Sequence, residues 1–518
     1  MNTTNTTATS TLALPTLSAG LLLGLAADRL WTDYGPTPLT LLLLFGSFCG
    51  GALWLARRAG SPFLKPQTQW SALALTCIGM MLWRDTKALN ALLMLSTLAT
   101  MALFLLQRSG LGLKASEPHH ALSVGLLLFS SMCTRPLTLL RVIPLQDRLA
   151  TASVRGAVLG LLIALPLLIL FWQLFIAADA AFERWALQLR WWSPTLPLHA
   201  VSTLVLGWIA SGVMGLAWQP VTSDRDRFRL TLGATEVTIV LAALEALFVL
   251  FAGFQLASLS NSPADNAARS GLSIAEFARH GFFQLLWIAA LALGVLALLS
   301  GCAAQVWYRR LGTGLLACVV VVMAASLQRL DYYLDSYGLT IDRIVACAVL
   351  LWLALCITAF GATVLLRRSS GFLALATALA IVVCMVVTSM NPAAVVVKTN
   401  VTLSRAQQQQ LDMDYLLGLG SDAVPALIKV LPALSSRDQC SVATALIQTW
   451  WNPLRNSSPA QHDWRHWHAS PLLAAAAVHK NISILQQAAR RTANTYYDDV
   501  ANFEQPLLLE PGVPSGCE

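Results

Sequence analysis

Charged side chains are scarce in this sequence of 518 residues, at 12% of the chain against 56% hydrophobic residues. An average soluble domain is about 25% charged. Apolar runs of about 20 residues, separated by short basic segments, are typical of membrane-spanning helices. Barrel strands would be only about 10 residues long with strict alternation, so these longer and uniformly apolar runs predict helices.

Common nucleotide-binding and hydrolase motifs are absent too. The sequence contains no Walker loop, no GxSxG elbow and no protein-kinase signature, which argues against soluble-type nucleotide chemistry. The net charge is +8, but residues 391–518 hold nine Lys or Arg and ten Asp or Glu, a net charge of −1. The positive excess therefore belongs to the apolar part, where we expect it to orient the chain in a lipid bilayer rather than to bind nucleic acid. No cofactor is predicted.

Twelve apolar segments predict an all-α, polytopic transmembrane helix bundle of 11–12 helices. The first ten residues contain no Lys or Arg, so the first segment is expected to be a retained helix, bent or begun at Pro15, rather than a secretory signal. From about Asn391 the sequence becomes polar and Gln-rich, which predicts a small helical extramembrane region. The segments lie near residues 12–27, 38–56, 69–83, 88–106, 120–134, 156–177, 198–218, 233–257, 281–303, 311–328, 342–366 and 371–390.

Three regions are expected from this pattern. They are N-terminal transmembrane helices in residues 1–134, a transmembrane core in 135–390 and an extramembrane, mostly helical C-terminal region in 391–518. The C-terminal region is the expected site for protein partners in the cell envelope.

Basic residues between the later segments predict the orientation, because cytoplasmic loops are enriched in Lys and Arg. They alternate along the chain, which places them in the cytoplasm of a bacterium and places the C-terminal region outside it, across the inner membrane. The groups are Arg135 to Arg155, Arg225 to Arg229, Arg309–Arg310 and Arg367–Arg368.

The first part of the chain does not fit this alternation. Arg57–Arg58 and Arg108 also resemble cytoplasmic signals, but a count of twelve crossings places them on the other side. A re-entrant or surface position for the short segment 120–134 would leave eleven crossings. The alternative is that the early basic residues are weak topological signals.

Two carboxylates interrupt the apolar segment 233–257. A charge at the bilayer centre costs several kcal/mol, so such residues face protein or water and often have a function. Glu236 lies near the predicted cytoplasmic end, among lipid head groups. Glu245 lies near the middle, where it is either a proton or cation ligand or one half of a buried ion pair.

The stretch GLSIAEFARHGFF, residues 271–283, places polar groups between two apolar runs. Ser273 and Glu276 have the spacing of a capping box, which favours the start of a helix at the membrane surface. A site there is the alternative: Glu276, Arg279 and His280 would join the acids Asp331 and Asp335 in a surface cluster that binds a cation or ligand. Gly338 to Arg343 repeats the pattern of a helix start.

Histidines and cysteines give limited signals in the C-terminal region. His462 and His466 would share a helical face, but His468 would not, and no cysteine completes a zinc site. An aromatic and basic surface helix is therefore favoured over a metal site. Cys440 and Cys517 would pair only in an oxidising compartment.

Several short motifs in order make the chain resemble one bacterial family of multi-pass membrane proteins. This is the family of domain of unknown function 4173, related to the 4153 group, and the resemblance covers roughly residues 135–434. It implies an integral membrane protein and brings no activity, cofactor or catalytic residue. The motifs are GLSIAEFARHGFF, Asp335 to Thr340 with Arg343, Asn391-Pro392, Leu411 to Leu416 and Asp422 to Leu427.

Three functional classes stay open from the sequence. The first is a membrane scaffold or signalling component whose helical C-terminal region engages envelope partners. The second is a proton-coupled transporter or permease that uses Glu245. The third is a membrane enzyme acting on a lipid-linked substrate at the surface cluster around Glu276 and His280.

Overall fold

Helices make up almost all of the part of the chain that the computed structural model describes, and no strand occurs within that part. This confirms the predicted all-α polytopic bundle. The described residues are 3–31, 37–60, 65–108, 118–142, 196–219, 234–261, 282–300, 305–365, 371–407, 411–451 and 467–497.

Eleven helices precede residue 391 within the described ranges. They are α1 (Thr3–Trp31), α2 (Pro38–Arg58), α3 (Lys65–Trp83), α4 (Lys87–Arg108), α5 (Pro118–Val142), α6 (Leu196–Trp218), α7 (Ala234–Ser260), α8 (Phe282–Leu299), α9 (Gln305–Tyr337), α10 (Ile341–Phe360, followed by a π turn at Gly361–Leu365) and α11 (Phe372–Met390).

The C-terminal region contains shorter helices, as expected. They are α12 (Pro392–Gln407), α13 (Met413–Leu417), α14 (Val424–Val430), α15 (Ser436–Leu446, followed by a π turn at Ile447–Trp451), α16 (Ala469–Lys480) and α17 (Ile482–Tyr497), with 3₁₀ turns at Ser421–Ala423 and Leu431–Ala433.

Eight of the described helices are long and apolar enough to cross a membrane. The bilayer core is about 30 Å thick, which requires about 20 helical residues. The spans are Thr11–Leu30, Pro38–Arg58, Lys87–Gln107, His199–Trp218, Val237–Ala257, Val306–Tyr332, Ile341–Leu365 and Phe372–Met390.

Four predicted segments are not among these spans. Segment 156–177 lies outside the described residues, and segment 69–83 is helix α3. The apolar parts of α5 and α8 are short helices, Leu127–Leu140 and Leu285–Leu299. Helix α5 continues past residue 134, so Arg135, expected in a basic loop, lies within a helix, where its Nη1 donates to Gln219 Oε1 at 2.6 Å.

The chain divides into two compact units. Unit 1 comprises residues 1–75, 100–115 and 121–228, and unit 2 comprises residues 76–99, 116–120 and 229–518. The core of unit 1 joins α1, α2, α5 and α6 through the buried side chains of Leu12, Leu55, Leu139, Met214 and Trp218. Helix α1 runs through Pro15 rather than beginning there.

Small residues let α1 and α6 pack closely in unit 1. A Cβ atom at Gly24 would lie 2.5 Å from Gly207 N and from Thr203 O, and one at Gly20 would overlap Ser211. Without a hydrophobic driving force between helices in lipid, close backbone contact supplies the attraction. The absence of side chains at these glycines therefore allows the helices to meet.

The membrane part of unit 2 has its own apolar core. It includes Leu241 of α7, Leu296 of α8, Leu315 of α9 and Leu353 of α10, all at most 2% exposed, together with Phe372 of α11. Thr340 begins α10 by accepting a hydrogen bond from Arg343 N. The prediction of a helix start at Gly338 to Arg343 is thus confirmed.

The C-terminal helices have a separate core within unit 2, formed by residues such as Val397, Leu427, Val442, Val478 and Leu485. Helix α14 packs on α16, and α15 packs on α17. The hairpin α14–α15 therefore stacks on the hairpin α16–α17, as successive units of a helical solenoid do. We call these four helices the two-hairpin stack.

Candidate functional site

Asp422 is the centre of a buried polar cluster in unit 2, although sequence analysis gave it no role. Its side chain is 1% exposed, and four donors surround it. Arg84 Nη1 donates to Oδ1 at 3.3 Å and Ser470 Oγ donates to the same oxygen at 2.7 Å. The backbone N–H of Asp85 donates to Oδ2 at 2.9 Å, and Thr86 Oγ1 donates to it at 3.2 Å.

The cluster joins the connection between α3 and α4 to the C-terminal region. Arg84 also donates through Nε to Thr388 O at the end of α11 at 3.1 Å. Asn391, which follows α11 with a left-handed backbone (φ 54°), donates through Nδ2 to Asp422 O at 3.0 Å. Because Arg84 and Asp422 are both buried, each neutralises a charge that would otherwise be costly to desolvate.

A second contact in unit 2 holds the turn between α9 and α10. Asn400 of α12 pairs with Leu339 through both backbone groups, accepting from its N–H at 2.7 Å and donating to its carbonyl at 2.8 Å. Gly338 has φ of 70°, and a Cβ there would lie 2.8 Å from Asn400 Oδ1. Tyr415 Oη accepts from Ile341 N at 2.9 Å. The C-terminal helices are therefore fixed to the ends of α4, α9, α10 and α11.

Asp85 lies at the exposed edge of the buried cluster. Loss of hydration raises the pKa of its carboxyl above the ordinary value of 3.8, and the neighbouring Asp422 carboxylate raises it further. The positive charges of His468 and Lys87 oppose this rise. The ionised form of Asp85 is therefore less favourable in the folded protein than in the unfolded chain.

Asp85→Asn is expected to increase the free energy of unfolding at neutral pH. A carboxyl with a raised folded-state pKa contributes stability fully below its unfolded pKa, near 3.8, and that contribution is lost as the pH rises through the folded-state pKa. Thermal unfolding in detergent should show the advantage of the variant growing from acid to neutral pH. Asp331→Asn, an exposed charge on α9, is the control, and an equal advantage there would contradict the assignment.

Glu245, the predicted intramembrane residue, lies half-buried on α7 against α9. A Cβ at Gly314 of α9 would overlap Glu245 Oε1, so the carboxylate lies directly against the α9 backbone. Glu236 lies in α7 as well, but its side chain is outside the described residues. The structure thus leaves the prediction for Glu236 untested.

The predicted surface cluster falls largely outside the described residues. Glu276, Arg279 and His280 lie there, as does the side chain of Asp335. Asp331 is exposed on α9. Convergence of these five residues in one pocket stays a prediction.

The histidine-rich stretch is partly described. His462 and His466 lie outside the described residues, whereas His468 precedes α16 with an extended backbone (φ −137°) and is close enough to lower the pKa of Asp85. Among the described residues no group of three metal-ligating side chains occurs.

The described cysteines fall into two groups, free and disulfide-bonded. Seven of the described cysteines are free, and all seven lie in the apolar helices. Cys440 of α15 is disulfide-bonded. Cys517 lies outside the described residues, so its pairing with Cys440 stays a prediction.

Unit 1 contains a polar group that sequence analysis missed. Asp28 of α1 is 2% exposed, and its carboxylate accepts a hydrogen bond from Ser202 of α6. His199 Nδ1 lies 3.0 Å from Asp28 Oδ2. At the other end of α6, Trp218 Nε1 donates to Thr16 Oγ1 of α1 at 3.1 Å. Polar contacts therefore fix α1 to both ends of α6.

The fold and these contacts define an integral membrane protein with several spanning helices and a helical C-terminal region attached to them. The family described as Domain of unknown function (DUF4153) matches residues 71–430. The chain therefore belongs to this family, and of the two related groups expected from the motifs it is the 4153 group that matches. No curated protein matches the chain, and no solved structure matches it.

Proposed function

We propose that the protein is a membrane scaffold that presents its two-hairpin stack to a protein partner outside the cytoplasm. The buried cluster of Asp422 carries this proposal. An ion pair with three further donors holds the C-terminal helices in one position relative to the helix ends of unit 2. A flexibly tethered region would not need such a contact, whereas a docking surface benefits from preorganisation.

The orientation is supported by the positions of basic residues in unit 2. Helix α9 has 33 residues, which spans about 50 Å at 1.5 Å per residue. Its last turn adjoins the C-terminal region, so Arg309 and Arg310 in its first two turns lie at the far end. Basic residues favour the cytoplasmic side, which supports a C-terminal region outside the cytoplasm, across the inner membrane of a bacterium. The disulfide at Cys440 suits an oxidising compartment.

The partner surface that fits best is the outer face of α16. Its buried residues Ser470, Ala474 and Val478 face α14, whereas Leu472 is 58% exposed on the opposite side and Leu473 is 52% exposed at its flank. Helical solenoids bury such faces against a further unit, and about three or more units are needed for stability. The expected partner is therefore an extracytoplasmic protein that adds a helical hairpin to the stack.

Photo-crosslinking in intact cells tests this proposal. With benzoylphenylalanine at Leu472, we expect a discrete adduct of higher mass that disappears when Asp422→Ala is added, because the stack then loses its fixed position. The matched control places the crosslinker at Leu351 of α10, which is similarly exposed at 54% but lies within a membrane span. The absence of an adduct from Leu472, or one that persists unchanged in the Asp422→Ala background, would refute the proposal.

A further inference from the structure

Glu245 lies on the side of α7 that faces the core of unit 2. Leu241 and Phe248, four residues before it and three after it, share its helical face and belong to that core. The carboxylate is therefore directed toward α9 and away from the lipid, in an apolar membrane span.

Gly314 creates the space that the carboxylate occupies. Any side chain at that position would collide with Glu245 Oε1. Cys318, one turn further along α9, is near enough to interact electrostatically with Glu245, and the adjoining residues Leu315 and Val319 are fully buried. The surroundings of the carboxylate are thus a glycine, a thiol and apolar side chains.

Within the described parts of the chain, no side chain forms a hydrogen bond or ion pair with Glu245. Among the described residues, the titratable group that faces it across the interface is Cys318, and Arg329 lies eleven residues further along α9. Helix α8 contributes only apolar residues to this core, such as Ala289 and Leu296. A carboxylate in such a place takes up a proton, a metal cation or a cationic partner to remain there.

A proton fits the site better than a metal cation. Hard cations are bound by several oxygen ligands, and neither Gly314 nor Cys318 offers a side-chain oxygen beside the single carboxylate. A proton requires only one carboxylate oxygen.

Polar side chains continue along the α7–α9 interface toward the C-terminal region. Gln255 lies ten residues after Glu245, about 15 Å along the helix, and is 5% exposed. Its Oε1 accepts from Arg329 Nη2 at 3.3 Å. Gln328 Nε2 donates to Leu259 O at 3.3 Å and to Tyr332 Oη at 3.2 Å. These groups form a polar cluster at the end of the α7–α9 pair that lies nearer the C-terminal region.

We propose that Glu245 is a proton-binding site inside the membrane, and that it exchanges its proton through the polar end of the α7–α9 pair. This goes beyond the scaffold function and does not depend on it. A site of this kind would let the protein respond to, or conduct, protons across part of the bilayer.

Labelling with dicyclohexylcarbodiimide tests the proposal, since this apolar reagent modifies protonated carboxyl groups in membranes. In the full-length protein in liposomes we expect Glu245 to be labelled, as mapped by peptide mass spectrometry. Labelling should decrease as the pH is raised and should not change when NaCl replaces choline chloride. Glu245→Gln should lose the label, and Glu245→Asp should retain it, which distinguishes a lost site from a misfolded protein.

A glycine pair supplies the matched control. Gly314→Ala should reduce labelling because the added methyl displaces the carboxylate. Gly312→Ala should not, since its Cβ would meet only the flexible ends of Leu365 and Leu296, at 3.2 and 3.3 Å. No labelling of Glu245 at any pH, equal labelling in Gly314→Ala and the wild type, or protection by sodium at constant pH would each overturn the assignment of a proton site.

Discussion

Asp422→Ala is expected to detach the C-terminal region from the helix ends of unit 2. The free energy of unfolding of the C-terminal region should fall by about 3–5 kcal/mol. The substitution leaves Arg84 buried without its anionic partner, and it also removes the acceptor for Ser470, Thr86 and the N–H of Asp85. Hydrogen exchange in detergent should show lost protection in residues 411–430.

Two comparisons distinguish the loss of the buried ion pair between Arg84 and Asp422 from the loss of an aspartate elsewhere in the C-terminal region. Asp438→Ala in α15 removes a carboxylate that accepts only locally, from Ser435 Oγ at 2.7 Å, and should cost at most about 1 kcal/mol. The double variant Arg84→Ala with Asp422→Ala should cost less than the sum of the two single variants, because the buried charges are removed together. Additive costs would show that the two residues do not interact.

Gly24→Leu is expected to separate α1 from α6 and to prevent unit 1 from folding stably. Even the first carbon of the new side chain would lie 2.5 Å from Gly207 N, and backbone atoms cannot rotate out of the way. Overpacking of a close interface costs about 1–3 kcal/mol or more, and the link from Asp28 to His199 would be lost as the helices move apart. Thermal unfolding monitored by tryptophan fluorescence should report the loss, since Trp218 packs in this unit.

Gly50→Leu on α2 is the control for the change in helix propensity and size. A Cβ at Gly50 meets nothing within 4 Å, so its variant should keep a thermal midpoint close to that of the wild type. Equal losses in the two variants would contradict close packing of α1 on α6 at Gly24.

Hydropathy is sufficient to predict the spanning helices, because the lipid requires predominantly apolar side chains along the whole length of a span. The predicted segments 38–56 and 371–390, for example, lie within a few residues of the observed spans Pro38–Arg58 and Phe372–Met390. The cap at Thr340 was also predictable, since capping depends on neighbouring residues. Glu245 could be singled out for the same reason: a carboxylate in an apolar run is visible without knowledge of its neighbours.

The cluster around Asp422 could not be predicted in this way. Arg84 and Asp422 are 338 positions apart, and each lies in a short polar stretch that alone looks like an ordinary helix boundary. Asp28 and His199 were missed similarly, because each stands at the end of an apolar run where polar residues are expected. One signal was available: an Asp beside an apolar helix end needs a partner if it is buried. Only the fold identifies that partner.

The matched family region contains both features on which the account rests. Residues 71–430 include Glu245 with Gly314 and also Arg84 with Asp422. Ser470 and the outer face of α16 lie beyond it. The attachment of the C-terminal helices therefore belongs to the family region, while the proposed partner surface belongs to this chain's own C-terminal sequence.

A distance measurement in the wild-type protein tests the central claim, that the two-hairpin stack is held in one position. Spin labels carried by unnatural amino acids at Asp331 of α9 and Gln486 of α17, both exposed and both in unit 2, leave the native cysteines intact. Double electron–electron resonance in liposomes should give a single narrow distance distribution. A broad distribution would show a flexibly tethered region and would contradict the scaffold account.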